Sequence, residues 1–444
     1  MKTYRAYAPE QSLLLPPSPQ DWLPEGHLAY FVMDVVKELD LSKIHAHYER
    51  ELRGYPPYHP RMMLALLVYG YCTGVASSRK IERKTHEDVP FRVIAAGLHP
   101  DHSAVSEFRR VHLEVLAELF VQVLKLCRKA GLVKLGHVAF DGTKVKANAS
   151  KHKAMSYERM KEKEKELREK VKGLLRAAEN EDAYEDQKYG VSRRGDELPE
   201  ELRRAKSRLE RIRAAKKELE EEAEQQTRHD DDEPKSGGAA ELPTHQVPTG
   251  ADGKPTKKAQ RNFTDPESRI QKSGDGFVQG YNGQIAVDEG HQIIVAQALT
   301  NQPPDVQHLV PMLALVIENC GAAPVNTTAD AGYFSETNVK GAEALGTNPH
   351  IATGRRKHGE ERPTVRGRPP KDMTVKQQMA RKLAKQEGAA IYAKRKWVVE
   401  PVFGQIKQAR GLRTLLLRGL EKARAEWALI CATHNLLKLH AALA

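Results

Sequence analysis

The chain lacks any hydrophobic run long enough to cross a membrane. Its longest apolar stretch, MMLALLVYGY at 62–71, is about half the length of a transmembrane helix, so we interpret it as a buried helix. The first residues, MKTYRAYAPEQ, lack the apolar core of a signal peptide. These absences predict a soluble, cytoplasmic protein with no membrane partner.

Cysteine is also scarce. The spacing of the four cysteines matches no zinc or redox motif, and the sequence contains neither HExxH nor paired CxxC. A zinc site built from thiolates or from a histidine pair is therefore not indicated. We expect reduced thiols in the core at Cys72, Cys127, Cys320 and Cys431.

Acidic residues are too few to balance the basic ones. The 444 residues include 71 Lys and Arg against 59 Asp and Glu, which gives a net charge of +12 and a pI near 9.3. This excess favours a polyanionic partner, nucleic acid first, because neutralised phosphates release counterions. An anionic membrane surface is the rival interpretation. The length allows roughly two to four domains.

Residues 1–131 are predicted to form an all-α DNA-binding domain. From residue 26 onward apolar residues recur at helical spacing, and basic segments such as SSRKIERKTH (77–86) lie between them. Such a domain suits duplex binding through helix-turn-helix-like packing. Ordinary solvated helix faces are the alternative for each basic patch.

Residues 151–274 differ in composition and are predicted to be an insertion. Two Lys- and Glu-rich segments within 156–228 carry narrow apolar seams, which predicts a coiled-coil-like helical hairpin. The stretch 229–260 is rich in Gly, Pro and charge and is expected to be a mobile linker.

The remaining segments, 132–150 and 275–444, are predicted to form an α/β domain. A strand at 138–141 is followed by a β-hairpin, an amphipathic helix, two further strands and a helical tail. This order predicts a mixed sheet flanked by helices. The hairpin covers 281–300, the helix 305–319, the two strands 324–333 and 350–353, and the tail begins at 373.

Three carboxylates have unusually apolar or small neighbours: Asp141 in AFDGT, Asp330 in TTADAGY and Glu400 in WVVEPVF. Each alone fits a structural role, as a strand-end turn, a helix N-cap and a helix N-terminal charge respectively. Together, at the ends of strands and on a helix, they fit a site for Mg²⁺, which prefers hard oxygen ligands. Two such ions would stabilise the attacking and leaving oxygens of phosphodiester cleavage.

Four segments resemble the catalytic core of insertion-sequence DDE transposases, which have an RNase H-like fold. They are AFDGTKVKANASKHK, GYNGQIAVD, TADAGYFS and KRKWVVEPVFGQIKQARGLR. The stretch from YHPRMMLALLVYGY to SEFRR resembles the helical N-terminal domain of the same group. The resemblance covers most of the chain, with 151–260 only loosely matched.

The resemblance implies that Asp141, Asp330 and Glu400 are the catalytic metal ligands, for two Mg²⁺ ions or for Mn²⁺ as a substitute. Lys407 matches the basic residue of the family's Tyr-Arg-Glu-Lys signature and would contact phosphate at a transposon end. Pro401 predicts that Glu400 lies in the first turn of a helix or at a kink. Lys407 is expected on the same face as Glu400, two turns on.

The Tyr and Arg of that signature are displaced here. Lys396 stands where an Arg is usual, and Tyr392 lies one residue early. Arg395 is the alternative at shifted spacing. We expect all three to contact DNA.

Further DNA contacts are expected from basic and aromatic residues. Lys144 follows Asp141 where a phosphate backbone would pass. Arg366 and Arg368 form an AT-hook-like core, with a plain basic loop as the alternative. Trp397 would stack on a displaced base or anchor the helix in the core.

The leading hypothesis is a DNA transposase. It would bind terminal inverted repeats, hydrolyse a phosphodiester with metal assistance and transfer the resulting 3′-OH to target DNA, as a homodimer or higher oligomer at the nucleoid. One alternative is a catalytically inactive, domesticated DNA-binding protein. The other is a related RNase H-like nuclease, which would cut DNA without joining it.

Overall fold

The computed structural model describes most of the chain, with backbone alone at 20, 178–189 and 227–230. The described residues are 18–50, 56–189, 200–230, 242–274, 276–354, 369–370 and 372–443. In this part of the chain no helix is both long and apolar enough to span a membrane.

The N-terminal region is helical, as predicted. The third helix is buried over nearly its whole length, which confirms a buried helix at 62–71, and Pro60 stands at its start where no backbone donor is needed. The helices are α1 (Leu28–Glu38), α2 (Ser42–Tyr48), α3 (Pro60–Cys72), α4 (Ser78–Glu87), α5 (Val89–Ile94), α6 (His102–Val111) and α7 (Leu113–Lys129).

The strands form one mixed six-stranded sheet and one two-stranded sheet. They are β1 (His137–Lys146), β2 (Ala154–Ser156), β3 (Gln260–Asn262), β4 (Arg269–Ser273), β5 (Gly276–Asp288), β6 (Ile294–Thr300), β7 (Asn326–Ala329) and β8 (Asn348–Ile351). The large sheet has the order β4-β5-β1-β7-β8, and β6 also pairs with β5. Strand β1 is antiparallel to β5 and parallel to β7, and β7 is parallel to β8. The predicted mixed sheet is confirmed, and β4 adds a strand that the sequence pattern did not indicate.

Helices cover the sheet and join it to the N-terminal region. They are α10 (Leu309–Cys320), α11 (Glu336–Ala344), α12 (Val375–Ala384), α13 (Gln386–Gly404) and α14 (Leu420–Leu443). Helix α14 is buried along most of its length. Its Glu426 accepts a hydrogen bond from the Tyr71 hydroxyl at 2.9 Å. One hydrophobic core therefore runs from the N-terminal helices through the sheet. All four cysteines are free and buried, as expected.

The insertion is a pair of long helices, α8 (Tyr157–Tyr189) and α9 (Glu200–Asp230). They run antiparallel, because Lys170 pairs with Glu201 while Glu164 pairs with Lys216. Their apolar seams, including Leu167, Leu209 and Ile212, are buried against each other. The predicted hairpin helices are confirmed, while residues 190–199 between them lie outside the described part of the chain.

The segment that follows the hairpin differs from the expected mobile linker. Val247 and Ala259 are buried with Leu219 and Ala223 of α9. The Val247 backbone N–H donates to Gln226 Oε1 at 2.8 Å. This segment is thus packed against α9, because its few apolar side chains are buried on the C-terminal part of that helix. Residues 231–241 lie outside the described part of the chain.

Candidate active site at the end of the parallel strands

Asp141 and Asp330 lie at the same level of the sheet. The parallel pairing of β1 with β7 ends at Ala139 and Thr328, which are opposite each other, and each aspartate follows two residues later. The sequence predicted that β1 ends at Asp141. It continues instead to Lys146, paired with β5 along this part and bridged to Thr414 at its last residue. Asp141 therefore lies just beyond the pairing with β7 and not at the end of the strand. This edge is where α/β sheets place ligand sites.

The short helical turn after β7 orients Asp330. Asp330 caps the 3₁₀ turn Ala331–Tyr333, and its Oδ1 accepts a hydrogen bond from Gly332 N at 2.8 Å. The predicted N-cap role is therefore present. It does not exclude a functional role, because Oδ2 is not used by the cap and the carboxylate acts electrostatically on Asp141.

Asp141 is held in a partly buried, charged environment. The pKa of its carboxyl is raised to about 6, chiefly by burial and also by the nearby Asp330, although Arg395 and the Gly142 N–H act in the opposite direction. Arg395 Nη1 lies 2.9 Å from Asp141 Oδ2, and Gly142 N lies 2.9 Å from Oδ1. The carboxylate therefore has one full cationic partner, from helix α13.

The arginine at this position is Arg395, at the shifted spacing. Its neighbour Tyr392 is hydrogen-bonded to it and is partly buried. Lys396, which stands at the usual spacing, is exposed to solvent. The structure thus brings Tyr392 and Arg395 to the site, because they lie one helical turn apart on the buried side of α13.

A third aspartate, Asp305, lies beside the pair on the other face of β1. Its Oδ1 accepts from Asn282 Nδ2 at 2.7 Å and from Gln284 Nε2 at 2.8 Å, both on β5. Lys144 Nζ lies 3.6 Å from the same oxygen and donates to Pro303 O at 2.7 Å. Burial lowers the pKa of Lys144, whereas Asp305, Asp330 and Asp141 oppose that shift.

Gly142 allows this network to approach β1. A Cβ on Gly142 would lie 2.5 Å from Gln284 Nε2 and 2.8 Å from Asp305 Oδ1, distances that real Cβ atoms do not tolerate. Sequence reasoning missed Asp305. The signal available was the pair Asn282 and Gln284, two amides inside an otherwise apolar strand, because buried amides require partners.

Lys407 contacts β1 from the other end of α13. Its Nζ donates to Thr143 Oγ1 at 2.5 Å and to Lys144 O at 2.8 Å. The pKa of Lys407 is lowered to about 8, chiefly by burial, with Arg413 and Lys144 contributing. Of the three lysines expected to contact DNA, Lys144 and Lys407 are thus partly buried, whereas Lys396 is exposed.

Glu400 lies near the end of α13, with Pro401 inside the helix. Of its two expected positions, the first turn of a helix is therefore wrong, and the kink stays a prediction. A π-helical turn, Gln405–Ala409, follows and contains Lys407. Lys407 is partly buried, whereas Glu400 is exposed, so the two side chains have different environments.

Two of the three predicted metal ligands therefore come together. Asp141 and Asp330 supply hard oxygens of like charge at one edge, as a divalent cation requires. Among the described residues no group of three His, Cys, Asp or Glu side chains is close enough to hold a metal ion. Glu400 completes no such group in this conformation.

Three other predicted DNA contacts have different outcomes. Trp397 is 68% exposed, so its interpretation as a core-facing anchor is wrong. Its indole N–H donates a hydrogen bond to Ala393 O of the same helix at 2.8 Å. Arg366 and Arg368 lie outside the described residues.

Two family models match the chain. A transposase DDE domain matches residues 243–436, and a transposase domain (DUF772) matches residues 17–111. No curated protein and no solved structure gives a match. The DDE domain is RNase H-like, in agreement with the predicted fold class, and members of that family generally use a divalent metal. The order of the two domains, the basic composition and the paired aspartates agree: the chain belongs to the insertion-sequence DDE transposases.

Proposed function

We propose that this chain binds the terminal inverted repeats of its insertion sequence, hydrolyses a phosphodiester at each end with a divalent metal, and transfers the 3′-OH to target DNA. The observation that carries this proposal is the register of Asp141 with Asp330 at the end of the parallel strands. The two carboxylates lie at one level, and the pKa of Asp141 is raised to about 6. A bound cation would stabilise the ionised form of both.

Asp141, Asp330 and Glu400 are the proposed ligands, with Mg²⁺ as the ion and Mn²⁺ as a substitute. Two such ions supply activation of the attacking oxygen and stabilisation of the departing 3′ oxygen. Glu400 must approach the aspartates for this role. Pro401 removes one helical hydrogen bond next to Glu400, and a π turn follows. This part of the helix is therefore easier to rearrange than a regular α-helix.

The cations of the site are proposed to orient the DNA backbone. Arg395 neutralises Asp141, and its guanidinium is suited to bidentate phosphate contacts. Lys144 and Lys407 lie on either side of β1 and would neutralise phosphates that flank the scissile bond. Tyr392 holds the Arg395 side chain, so we assign it a positioning role.

Strand transfer separates this proposal from its two alternatives. The purified chain would be incubated with linear DNA that carries the element's ends, a supercoiled target plasmid and Mg²⁺. We expect cut ends and end–plasmid joints. A nuclease would produce cuts without joints, and an inactive DNA-binding protein would bind the ends without producing either.

Synapsis of two ends requires at least two protomers, so we propose a homodimer or higher oligomer on DNA. Light scattering of the chain with and without end duplex measures this directly. A complex of one protomer with one duplex, under conditions that support joining, would contradict it.

A further inference from the structure

The helical hairpin forms an arginine-lined groove with the strands beneath it. The groove has a volume of about 1020 Å³. One wall is α9, and the other is the chain around β2 and β3. Arg203, Arg208 and Arg211 from α9 line it, with Lys153 opposite. Glu218 is the one acidic residue among its lining residues, and it is paired with Arg261 at 2.8 Å.

Part of the charge of this groove is unneutralised, although Arg204, which also lines it, pairs with Glu200. Arg203 and Arg211 form no ion pair with another described residue, and all three arginines are exposed. At the interface with α8, by contrast, the cations of α9 are neutralised, since Arg213 and Lys216 pair with Glu164. Cations without counter-charges along a concave surface attract a polyanion.

The spacing of the arginines fits a phosphate backbone. Arg203 and Arg211 are eight residues apart, which is about 12 Å along a helix and about the axial length of three to four base steps. The buried seam of α9, which includes Leu209 and Ile212, faces α8. The arginines therefore project from a helix whose position is fixed by its own apolar packing.

A short stretch of chain joins the groove to the strand of the proposed active site. Strand β1 runs from Asp141 to Lys146, and the chain then passes through Lys151 and Lys153 into β2. Two hydrogen bonds fasten this segment to β3, Asn262 Nδ2 to Ser150 O at 2.8 Å and Phe263 N to Lys153 O at 3.1 Å. A row of exposed lysines therefore leads from the aspartates to the groove.

We propose that this groove binds the backbone of duplex DNA that extends away from the cleavage site. The inference rests on the proposed function, since it assumes that DNA lies at Asp141. It gives a role to a segment that lies between the two matched family domains, which end at 111 and begin at 243.

The test is equilibrium binding of the full chain to a labelled random-sequence duplex over a series of salt concentrations. The groove variant combines Arg203→Gln, Arg208→Gln and Arg211→Gln. The matched control combines Lys165→Gln, Lys172→Gln and Arg176→Gln, which remove the same charge from exposed positions of α8 outside the groove. Thermal unfolding verifies that both variants fold.

We expect the groove variant to bind at least about tenfold more weakly and to lower the slope of log K against log salt by roughly 2 to 3. The control should keep the parent slope. The charge-preserving variant Arg203→Lys, Arg208→Lys and Arg211→Lys should keep most of the slope, which guards against a folding defect in the Gln variant.

The groove assignment is overturned if the Gln variant binds like the parent, if the control loses as much affinity, or if the parent prefers single-stranded RNA of equal length. The proposed function fails separately, if Asp141→Asn still cleaves end DNA at the parent rate. A parent chain that binds no duplex overturns both.

Discussion

Arg395 Nη1 lies 2.9 Å from Asp141 Oδ2, and this ion pair joins helix α13 to the central strand. Both side chains are largely shielded, with 11% and 18% of their surface exposed. A pair in this setting is electrostatically stronger than one at the surface, because little water screens it. The helix that carries Glu400 is therefore anchored at Asp141 by a residue five positions before Glu400.

Replacing Arg395 should change the pH dependence of cleavage. Arg395 lowers the pKa of Asp141, which burial raises to about 6. Arg395→Gln removes that effect, so the pKa rises and the ionised, metal-binding form appears only at higher pH. We expect the acid limb of the cleavage rate at saturating DNA to move upward by about one pH unit or more.

The neighbouring Lys396→Gln is the control for this shift, since it removes the same charge from an exposed position of the same helix. It should leave the acid limb where the parent has it. An acid limb that is unchanged in Arg395→Gln would show that Asp141 does not limit the rate.

Gly142 is expected to tolerate no side chain. In Gly142→Ala the new methyl would displace Gln284 and Asp305 from their contacts, which forces a shift in a buried hydrogen-bonded network. We expect a loss of roughly 1–3 kcal/mol in the free energy of unfolding and a fall in the cleavage rate. Urea unfolding and single-turnover cleavage measure the two effects.

Gly173→Ala serves as the comparison, because nothing lies within 4 Å of its Cβ on α8. There the substitution should stabilise the helix slightly. Parent-like cleavage by Gly142→Ala would show that Asp305 and its amide partners do not contribute to the cleavage site.

The two aspartates could be predicted from sequence because each follows a short run of apolar or small residues, VAF or NTTA, which marks a buried strand. Asp305 could not, since it follows no strand and joins the site through amides in the middle of β5. The exchange of Lys396 for Arg395 depends on how α13 rotates against the sheet. The π turn after Gly404 has no sequence signature, so the break in the regular helix between Glu400 and Lys407 could not be predicted.

Trp397 is expected to contact unpaired bases. It is 68% exposed and borders a cleft of about 550 Å³ that Lys394 and Lys438 also line. Stacking of one base on an aromatic ring contributes about 1–3 kcal/mol. Trp397→Ala should therefore weaken binding of a duplex with a single-stranded flap roughly tenfold, measured by fluorescence anisotropy.

The blunt duplex of the same sequence provides the reference, and its affinity should change little. Equal weakening for both DNAs would mean that Trp397 acts through structure or charge rather than through stacking.

His434 should make the fold sensitive to acid. It is buried, with Nε2 3.0 Å from Gln292 O, and burial lowers its pKa to about 3, with Arg410 adding to the effect. An unfolded chain binds this proton near pH 6.5, so the stability from the neutral ring is present above 6.5 and is lost as pH falls toward 3. The slope is roughly 1 kcal/mol per pH unit for this group.

Urea unfolding at pH 7, 6 and 5 measures that slope. In His434→Gln, which keeps an amide donor for the carbonyl, the free energy of unfolding should fall less steeply with decreasing pH than in the parent. His291→Gln changes an exposed position, and its free energy of unfolding should fall with pH as that of the parent does. Identical slopes for the parent and His434→Gln would show that the buried ring does not resist protonation.

The most direct measurement of the central claim is single-turnover cleavage of an end duplex in Mg²⁺ by variants of the three carboxylates. Asp141→Asn, Asp330→Asn and Glu400→Gln should each lose roughly a thousandfold in rate while they retain DNA binding. Glu387→Gln, on an exposed position of the same helix as Glu400, should cleave at the parent rate. Cleavage at the parent rate by Asp141→Asn or Asp330→Asn would contradict the account.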